Sequence, residues 1–283
     1  MTLVSPEELA ELLASGTSVR VLDVRWSLAE PDGHAAFESG HIPGAVYVDL
    51  ETDLSDHTVP GRGRHPLPSG DALEASLRRW GVDDGDTVVV YDDWNRAGSS
   101  RAWWMLRAAG LGDVRILDGG LGAWRALGKP VGTEVESPRP GSITLVHRNF
   151  DAGALATLTA ADAAELARDG VLLDARAPER FRGEIEPIDP VAGHIPGAVN
   201  LPSTALLGPD GRFAPADDLR ALFAARGVDG GNEAGAYCGS GVTAAVVVAA
   251  AEVAGIDLAL FPGSWSQWSS DPANPVETGP ATD

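Results

Sequence analysis

Short apolar runs alternate along the chain with stretches in which apolar residues recur every three or four positions. The short runs are rich in valine and predict buried strands over residues 19–24, 87–91 and 114–117. The periodic stretches predict helices over residues 6–14, 71–80 and 100–109. Strands that alternate with helices form parallel sheets covered by helices. The pattern therefore predicts an α/β fold, with ligand sites at the carboxyl ends of its strands.

A six-residue segment occurs twice in the chain. The sequence His-Ile-Pro-Gly-Ala-Val stands at residues 41–46 and again at residues 194–199. Upstream of each copy, Val-Leu-Asp-Val-Arg at 21–25 is echoed by Leu-Leu-Asp-Ala-Arg at 172–176. Similar segments in the same order indicate a duplicated domain. We therefore expect two domains and a linker that contains Pro and Gly, over residues 1–129, 159–283 and 130–158 respectively.

The charge of the chain excludes several classes of partner. Acidic residues outnumber basic ones by 41 to 21, which gives a formal net charge of −20. Nucleic acids and anionic membranes repel such a chain, so neither is expected as a partner. The longest apolar stretch, near residues 242–251, is far shorter than the roughly 20 residues of a membrane span. The first residues show no targeting pattern, and a cytoplasmic location is expected.

The chain contains one cysteine, Cys238, and six histidines that lack the spacing of a metal site. A single cysteine excludes internal disulfides and any cysteine-rich metal site, and it fits a reducing compartment. We therefore expect no metal and no cofactor. If Cys238 contributes to function, it does so as a thiol.

Cys238 opens the segment Cys-Gly-Ser-Gly-Val-Thr, between an apolar run that ends at Tyr237 and a helical run over residues 242–254. Two glycines allow the backbone to bend so that successive N–H groups converge, and the helix adds its positive N-terminal end. An isolated cysteine is usually a small buried apolar residue, but this setting favours a nucleophilic thiolate or its persulfide. The expected anion-binding positions are Gly239, Gly241, Val242 and Thr243.

Two further observations narrow the chemistry of this loop. A cysteine phosphatase needs an arginine six positions after its cysteine, because that side chain clamps the phosphate. The position is Ala244 here, and no Arg or Lys lies between Cys238 and the end of the helical run. In the first copy, the residue after Tyr91 is Asp92, which cannot accept a sulfur atom. Only the second copy is therefore expected to be catalytic.

Three motifs resemble the rhodanese family, in particular its two-domain sulfurtransferases, and the resemblance extends over nearly the whole chain. They are Phe-x3-His-Ile-Pro-Gly-Ala at 37–45, the cysteine loop at 238–243, and Phe-Pro-Gly-Ser-Trp-Ser-Gln-Trp at 261–268. The resemblance implies tandem rhodanese-like domains. The neutral loop resembles that of 3-mercaptopyruvate sulfurtransferases, whereas thiosulfate sulfurtransferases commonly carry Cys-Arg-Lys-Gly-Val-Thr, whose basic residues suit a dianion.

The resemblance implies a ping-pong reaction. The thiolate of Cys238 takes a sulfane sulfur from 3-mercaptopyruvate or thiosulfate, and the resulting persulfide passes it to cyanide, a small thiol or thioredoxin. Ser240 would hydrogen-bond near the sulfur, and His65 stands where the family has a relay histidine. Glu51 is the expected acidic partner in preference to Asp53.

Arg180 matches the family's arginine that binds the substrate carboxylate, and its planar fork suits that group. The 3-mercaptopyruvate pattern has a second arginine nine positions on, where this chain instead reads Glu-Pro-Ile-Asp-Pro at 186–190. The preferred donor therefore stays open at this point. Two other functions remain as alternatives: a non-catalytic module that relays a persulfide to a partner protein, and, with less support, a cysteine phosphatase.

Overall fold

The computed structural model describes residues 1–135 and 137–280. The chain forms two compact units. The first unit contains Met1–Asp56, Leu67–Leu155 and Gly208–Phe213. The second unit contains His57–Pro66, Ala156–Leu207 and the described residues from Ala214 onward. A ten-residue segment from the first half of the sequence, His57–Pro66, is thus part of the second unit.

Within the described residues of the first unit, five strands form a parallel sheet in the order β1-β5-β4-β2-β3. The strands are β1 Leu3–Val4, β2 Val19–Asp23, β3 Val46–Tyr47, β4 Thr87–Tyr91 and β5 Val114–Leu117. The helices are α1 Pro6–Ala14, α2 His34–Ser39, α3 Gly70–Arg79, α4 Ala97–Ala108 and α5 Gly120–Ala126, and a short 3₁₀ turn spans Phe150–Ala152. Apolar side chains of the strands and helices form the core of the unit.

The second unit repeats this plan with four described strands, also parallel, in the order β7-β6-β8-β9. The strands are β6 Val171–Asp174, β7 Val199–Asn200, β8 Ala234–Tyr237 and β9 Ala259–Leu260. The helices are α6 Ala160–Asp169, α7 Pro178–Phe181, α8 Ala216–Ala224, α9 Ala244–Ala254 and α10 Ser264–Trp268, and a 3₁₀ turn spans Ser203–Leu206. Since β8 lies between β6 and β9, the loop that follows it starts from an interior strand of the sheet.

The same local signals start the first helix of each unit. Ser5 accepts a hydrogen bond from the N–H of Glu8, and the Glu8 carboxylate accepts one from the N–H of Ser5. Thr159 and Asp162 form the same reciprocal pair before α6. These capping boxes satisfy backbone donors that a helix start otherwise leaves free. Helix α9 differs, because Ala and Val occupy nearly all of its positions and most of them are buried, as expected for a helix enclosed by the core.

The predicted parallel sheets flanked by helices are confirmed. Helix α1 and strands β4 and β5 have the predicted bounds, β2 ends one residue early, and α3 is displaced by one residue. Helix α4 begins at Ala97, three residues before the predicted start. Residues 97–99 show no periodic alternation of apolar and polar positions, because the first turn of this helix is buried on every side. Among the described residues, no helix is long and apolar enough to cross a membrane.

The domain boundaries taken from the repeat stay a prediction, and the compact units differ from them in three segments. Residues 57–66 belong to the second unit and residues 208–213 to the first. Of the linker predicted at 130–158, the residues described up to 155 fold with the first unit. Residue 136 of that linker and residues 281–283 of the second predicted domain lie outside the described residues.

Candidate active site

The Cys238 loop connects β8 to α9 in the second unit. The Cys238 side chain is buried, and its sulfur accepts a hydrogen bond from the N–H of Gly241 at 3.1 Å. Gly241 has a φ of +78°, and a methyl group there would meet the carbonyl oxygen of Pro262 at 2.3 Å. Glycine is therefore required at this turn, both for its backbone conformation and for its lack of a side chain. The turn points a backbone donor at the sulfur, which suits a negatively charged sulfur.

The segment that begins α10 holds this loop in place through its backbone. The N–H groups of Trp265 and Ser266 donate to the carbonyl oxygens of Cys238 and Gly239, both at 2.9 Å. The hydroxyl of Ser264 accepts a hydrogen bond from the N–H of Cys238 at 3.1 Å and lies 4.0 Å from its sulfur. Ser264 has a φ of +53°, an uncommon conformation for a residue with a side chain. Backbone strain of this kind persists where the surroundings over-determine it.

Ser240 and His65 form a buried pair beside the cysteine. The Oγ of Ser240 lies 2.7 Å from Nδ1 of His65, a hydrogen bond whose direction depends on the imidazole tautomer. His65 comes from the segment 57–66, which docks in the second unit through Gly63 and Arg64. A methyl group on Gly63 would lie 2.5 Å from the carbonyl oxygen of Gly263, so the two segments meet backbone to backbone. His65 and Ser240, which are 175 residues apart in the sequence, are thereby in contact within one unit.

Arg180 lies next to the same loop and is held by two carboxylates. Its guanidinium donates to Glu186 at 2.7 Å and to Asp189 at 3.3 Å. Burial opposes the ionisation of Glu186, but hydrogen bonds from Arg180 and from the N–H groups of Asp189 and Ile188 lower the pKa of this carboxyl. Asp189 also accepts a hydrogen bond from Arg64 at 2.5 Å. Two arginines and two carboxylates thus form one cluster beside the cysteine loop.

The loop at the same position in the first unit surrounds the carboxylate of one of its own residues, Asp92. The carboxylate of Asp92, which follows β4, accepts hydrogen bonds from the N–H groups of Trp94, Arg96 and Ser99 at 3.2, 3.3 and 3.1 Å. The hydroxyl of Ser99 donates to it at 2.7 Å, and the buried Arg96 guanidinium pairs with it at 2.7 Å. The turn after the interior strand therefore binds negative charge in the first unit as well, without a nucleophile.

The structure brings together most of the residues that the sequence singled out. Cys238, Ser240 and His65 lie within one unit, together with Arg180 and the two glycines of the loop. Val242 and Thr243 carry the chain from the loop into α9, where their carbonyl oxygens accept hydrogen bonds from Ala245 and Val246 at 3.2 and 3.1 Å. Their roles as anion donors stay a prediction.

Glu51, the expected acidic partner of His65, belongs to the first unit. Its carboxylate accepts a hydrogen bond from the indole of Trp26 at 2.6 Å. Asp53, the alternative that the sequence left in second place, pairs with Arg79 at 2.5 Å and also belongs to the first unit. The identity of the acidic relay residue therefore stays a prediction.

Sequence reasoning missed four residues of the site. They are Arg64, Ser264, Glu186 and Asp189. Ser264 lies within the C-terminal motif, and Glu186 and Asp189 lie where a second arginine is absent, so each occurred in a segment already singled out. Arg64 directly precedes His65, yet nothing in the local pattern shows that it approaches the cysteine loop. Within the described residues, no group of three or more His, Cys, Asp or Glu side chains could hold a metal ion.

A rhodanese-like domain model matches residues 5–127 and 159–271, which together make up most of the chain. The chain belongs to the rhodanese family. Both matched segments contain the repeated His-Ile-Pro-Gly motif, and the second contains Cys238. The expectation of a two-domain sulfurtransferase of this family is thereby confirmed, as is the fold class of tandem rhodanese-like domains.

Similar proteins span the full length of the chain. It is 58% identical to a Mycobacterium tuberculosis protein provisionally named thiosulfate sulfurtransferase SseB, over 99% of this chain and 98% of that relative. It is 46% identical to a Pseudomonas aeruginosa protein provisionally named 3-mercaptopyruvate sulfurtransferase, over 98% of both chains. The 3-mercaptopyruvate sulfurtransferase of Escherichia coli is 36% identical over 92% of both. The names of these relatives thus indicate different sulfur donors, thiosulfate for the first and 3-mercaptopyruvate for the other two.

Solved structures show the same rhodanese architecture. The crystal structure of SseA from Escherichia coli, described as a 3-mercaptopyruvate sulfotransferase, matches with a TM-score of 0.81 at 33% identity, over 94% of this chain and 100% of that one. The crystal structure of Tum1 from Saccharomyces cerevisiae matches with a TM-score of 0.84 at 26% identity, over 98% of both chains. The rhodanese fold is therefore shared with these two solved structures over nearly the whole length of the chain.

Proposed function

We propose that this rhodanese-family sulfurtransferase moves a sulfane sulfur from 3-mercaptopyruvate or thiosulfate to a thiophilic acceptor through a persulfide on Cys238. The observation that carries the proposal is the cysteine loop itself. The single cysteine of the chain follows an interior strand, accepts a hydrogen bond from the N–H of Gly241 at 3.1 Å, and precedes a buried helix. A thiolate and a persulfide anion have the same need for such donors.

With 3-mercaptopyruvate, the Cys238 thiolate attacks the donor's sulfur. A sulfur–sulfur bond forms, the carbon–sulfur bond breaks, and its electron pair goes to the carbon. The proton of the donor thiol ends on that carbon, so the products are the persulfide anion and pyruvate. We assign this proton transfer to the His65–Ser240 pair, whose 2.7 Å hydrogen bond fits general acid–base work. Thiosulfate needs no proton, because its sulfite leaves as a dianion.

In the second half-reaction the acceptor attacks the outer sulfur of the persulfide, and the electron pair of the sulfur–sulfur bond returns to Cys238. Cyanide would give thiocyanate, and a thiol would give its own persulfide. A small thiol or reduced thioredoxin is proposed as an acceptor together with cyanide. A cytoplasmic location is consistent with the use of a free thiol and stays a prediction.

The charges around the cysteine favour 3-mercaptopyruvate over thiosulfate as the donor. Residues 238–243 carry no charged side chain, and Arg64 and Arg180 already have the carboxylates of Asp189 and Glu186 as partners. A site whose cations are nearly balanced gains less from a dianion than from a planar monoanionic carboxylate, which also matches the guanidinium fork.

The charges around the cysteine also count against the alternative function of a cysteine phosphatase. Ala244, at the position where such enzymes have an arginine, is the buried first residue of α9. The two guanidiniums beside the loop come from other segments, and both are bound by carboxylates. A phosphate dianion would therefore enter beside two buried carboxylates, which opposes its binding.

The test is a steady-state comparison of kcat/KM for 3-mercaptopyruvate and thiosulfate, with cyanide as acceptor, on the wild-type chain and on Cys238→Ser. We expect about a hundredfold preference for 3-mercaptopyruvate, which corresponds to about 2.7 kcal/mol of transition-state stabilisation. We also expect no transfer by the Cys238→Ser variant and a mass gain of one sulfur atom on the wild-type chain. Transfer that survives in Cys238→Ser would refute the proposal.

Two other outcomes would redirect it. If kcat/KM for 3-mercaptopyruvate is equal to or lower than kcat/KM for thiosulfate, we would assign thiosulfate as the donor. A persulfide that forms on Cys238 but is not removed by cyanide or by a small thiol would support the relay module that hands sulfur only to a partner protein.

A further inference from the structure

A second histidine lies beside His65, at the other end of the same segment. His57 opens the segment 57–66, which belongs to the second unit, and His65 stands near its end. The two imidazole rings form a T-shaped contact, with centroids 6.0 Å apart and an interplanar angle of 66°. The segment therefore folds back on itself and places two imidazoles next to each other.

The two histidines differ in their access to solvent. His65 is only 3% exposed, and its Nδ1 lies 2.7 Å from Oγ of Ser240, in the cysteine loop. His57 is exposed, as are the residues that follow it up to Arg62. Ser240, His65 and His57 thus form a series of contacts that begins in the buried site and ends at the surface of the second unit.

The docking of the segment fixes the buried end of this series. The backbone N–H of Arg64 donates to the hydroxyl of Ser266 at 2.9 Å. Gly63, directly before it, has a φ of +87° and packs against the carbonyl of Gly263. These backbone contacts hold His65 against the cysteine loop, so the position of its ring does not depend on the contact with His57.

The proposed reaction releases a proton to solvent only when the acceptor is a thiol. A thiol attacks as its thiolate, which is the minor form at neutral pH, so the acceptor loses its proton in the site. A bond forms between the thiol sulfur and the outer sulfur of the persulfide, the sulfur–sulfur bond to Cys238 breaks, and its electron pair returns to Cys238. The new persulfide is a stronger acid than the thiol and leaves as an anion, so the proton has to leave separately.

The other substrates make no such demand. Cyanide attacks as an anion and brings no proton. The proton of 3-mercaptopyruvate ends on the carbon of pyruvate, and thiosulfate carries none to transfer. A path for protons between the buried His65–Ser240 pair and solvent is therefore needed for one class of acceptor alone.

We propose that His57 is a positioning residue for thiol acceptors: it acts through His65 and passes the acceptor's proton from the buried pair to solvent. An imidazole is suited to this task because it accepts and releases a proton near neutral pH. One bridging water, or rotation of the exposed ring, joins nitrogen atoms of rings at this separation. The inference rests on the proposed function, because it concerns the persulfide on the same cysteine.

The experiment follows the removal of sulfur from the full-length chain, loaded beforehand as the Cys238 persulfide. Rapid mixing with cyanide or with 2-mercaptoethanol, followed by acid quench and mass spectrometry, gives the rate at which the extra sulfur is lost. The variants are His57→Phe, which keeps a ring against His65 but cannot carry a proton, and His57→Gln, which keeps neither. The matched control is His34→Gln, at an exposed histidine of the first unit.

We expect both His57 variants to lose sulfur to 2-mercaptoethanol about tenfold more slowly than wild type, and to cyanide at a rate within about twofold of it. Imidazole added to the buffer should restore the thiol rate of the variants. His34→Gln should match wild type with both acceptors. A His57→Phe variant with the wild-type thiol rate would show that the ring contributes packing alone, and an equal loss with both acceptors would show a general structural effect. Either result overturns the proposal.

Failure of the proposed function gives a different result. A chain that forms no persulfide on Cys238 refutes the sulfur transfer and, with it, the role of His57. A persulfide that cyanide removes at the same rate in all four proteins retains the transfer, and the thiol rates then decide on His57 alone. A wild-type persulfide that reacts with cyanide but not with 2-mercaptoethanol overturns the proton path and leaves transfer to cyanide intact.

Discussion

The sulfur of Cys238 has its nearest donor in the backbone and not in a charged side chain. The N–H of Gly241 donates to it at 3.1 Å, and the hydroxyl of Ser264 lies 4.0 Å away. Side chains around it have other tasks: His65 pairs with Ser240, and Arg180 faces the loop from one side. We therefore assign the stabilisation of charge on the sulfur to the backbone N–H of Gly241, and proton transfer to the His65–Ser240 pair.

His65 is expected to affect the chemical step more than substrate binding. Replacing it in His65→Gln removes the proton relay to Ser240, and the rate of persulfide formation from 3-mercaptopyruvate should fall by about 10²-fold or more. Stopped-flow single turnovers at saturating donor measure this rate. The control is His34→Gln, an exposed histidine of the first unit, which should retain the wild-type rate. An equal loss with thiosulfate, whose transfer needs no proton, would contradict the assignment.

Glu186 makes the stability of the second unit dependent on pH at the acid end. Hydrogen bonds from Arg180 and two backbone N–H groups outweigh burial and lower the pKa of its carboxyl below the ordinary value of about 4.3. A lowered carboxyl pKa stabilises the fold above the unfolded value, and this stabilisation is lost as pH falls through the folded value.

Urea unfolding of wild type and Glu186→Gln at a series of pH values tests this dependence. The difference in the free energy of unfolding should be largest above about pH 5 and should shrink as the pH falls below about 4. Glu165→Gln, at an exposed position on α6, should follow the wild-type curve. A difference that stays constant with pH would show that Glu186 contributes through packing alone.

At the scale of elements, the site is the junction of one strand, one turn and two helices. Strand β8 delivers Cys238 to the carboxyl edge of the sheet, and the turn directs a donor at its sulfur before α9 begins. The start of α10 then binds the loop through the carbonyl oxygens of Cys238 and Gly239. Since most contacts that shape the loop are backbone contacts, backbone geometry sets the environment of the Cys238 sulfur.

Gly241 and Gly255 provide a matched test of that geometry. They have similar positive φ values of +78° and +74°, at the start and at the end of the α9 region. An added methyl group meets the Pro262 carbonyl oxygen at 2.3 Å in the first case and nothing within 4 Å in the second. Gly255→Ala should therefore lower the free energy of unfolding by about 1 kcal/mol and leave transfer intact.

Gly241→Ala should lower the free energy of unfolding by more than Gly255→Ala and abolish the persulfide, because the loop must move to accommodate the methyl group. Denaturant unfolding gives the two stabilities, and mass spectrometry gives the fraction of chains that carry an extra sulfur. A Gly241→Ala variant with the wild-type persulfide fraction would show that the donor geometry at the sulfur is not needed.

For the whole molecule, duplication has produced two units with the same strand register and different contents in the equivalent loop. Asp23 pairs with Tyr91 in the first sheet as Asp174 pairs with Tyr237 in the second. The next residue is Asp92 in one unit and Cys238 in the other. The loop of the first unit binds an internal carboxylate, whereas its counterpart holds the thiol of Cys238. We infer that the two copies have diverged from a shared anion-binding turn.

Asp92→Asn should destabilise the chain without affecting the sulfur carrier. The substitution leaves the buried Arg96 without its carboxylate partner, and the free energy of unfolding should fall by about 3 kcal/mol. Asp93→Asn, a more exposed neighbour, should change it by less than about 0.5 kcal/mol. In folded Asp92→Asn protein, the fraction of Cys238 that forms a persulfide should equal that of wild type. A smaller fraction would contradict a purely structural role for the first loop.

Contiguous residues were sufficient to predict the two copies, strands β2, β4 and β5, helices α1, α3, α4 and α9 to within three residues at each end, and the turn at Cys238. Each of these features depends on neighbours in sequence: apolar period, capping residues, or two glycines between a strand and a helix. The proposed role of His65 could be inferred only from the family resemblance, because no local pattern distinguishes this histidine from the others. Helix α4 shows the limit of periodicity, since a helix start that is buried all round carries no amphipathic signal.

The sequence by itself determined that the chain has two related α/β units and that the second has the single cysteine, Cys238. Only the tertiary structure decided that Arg64 and His65 belong to the second unit, and that Asp189 connects Arg64 with Arg180. The physical reason is that these contacts join segments up to 202 residues apart. Which segments meet depends on backbone close approaches, such as Gly63 against Gly263, that hydrophobic patterns along the chain do not encode.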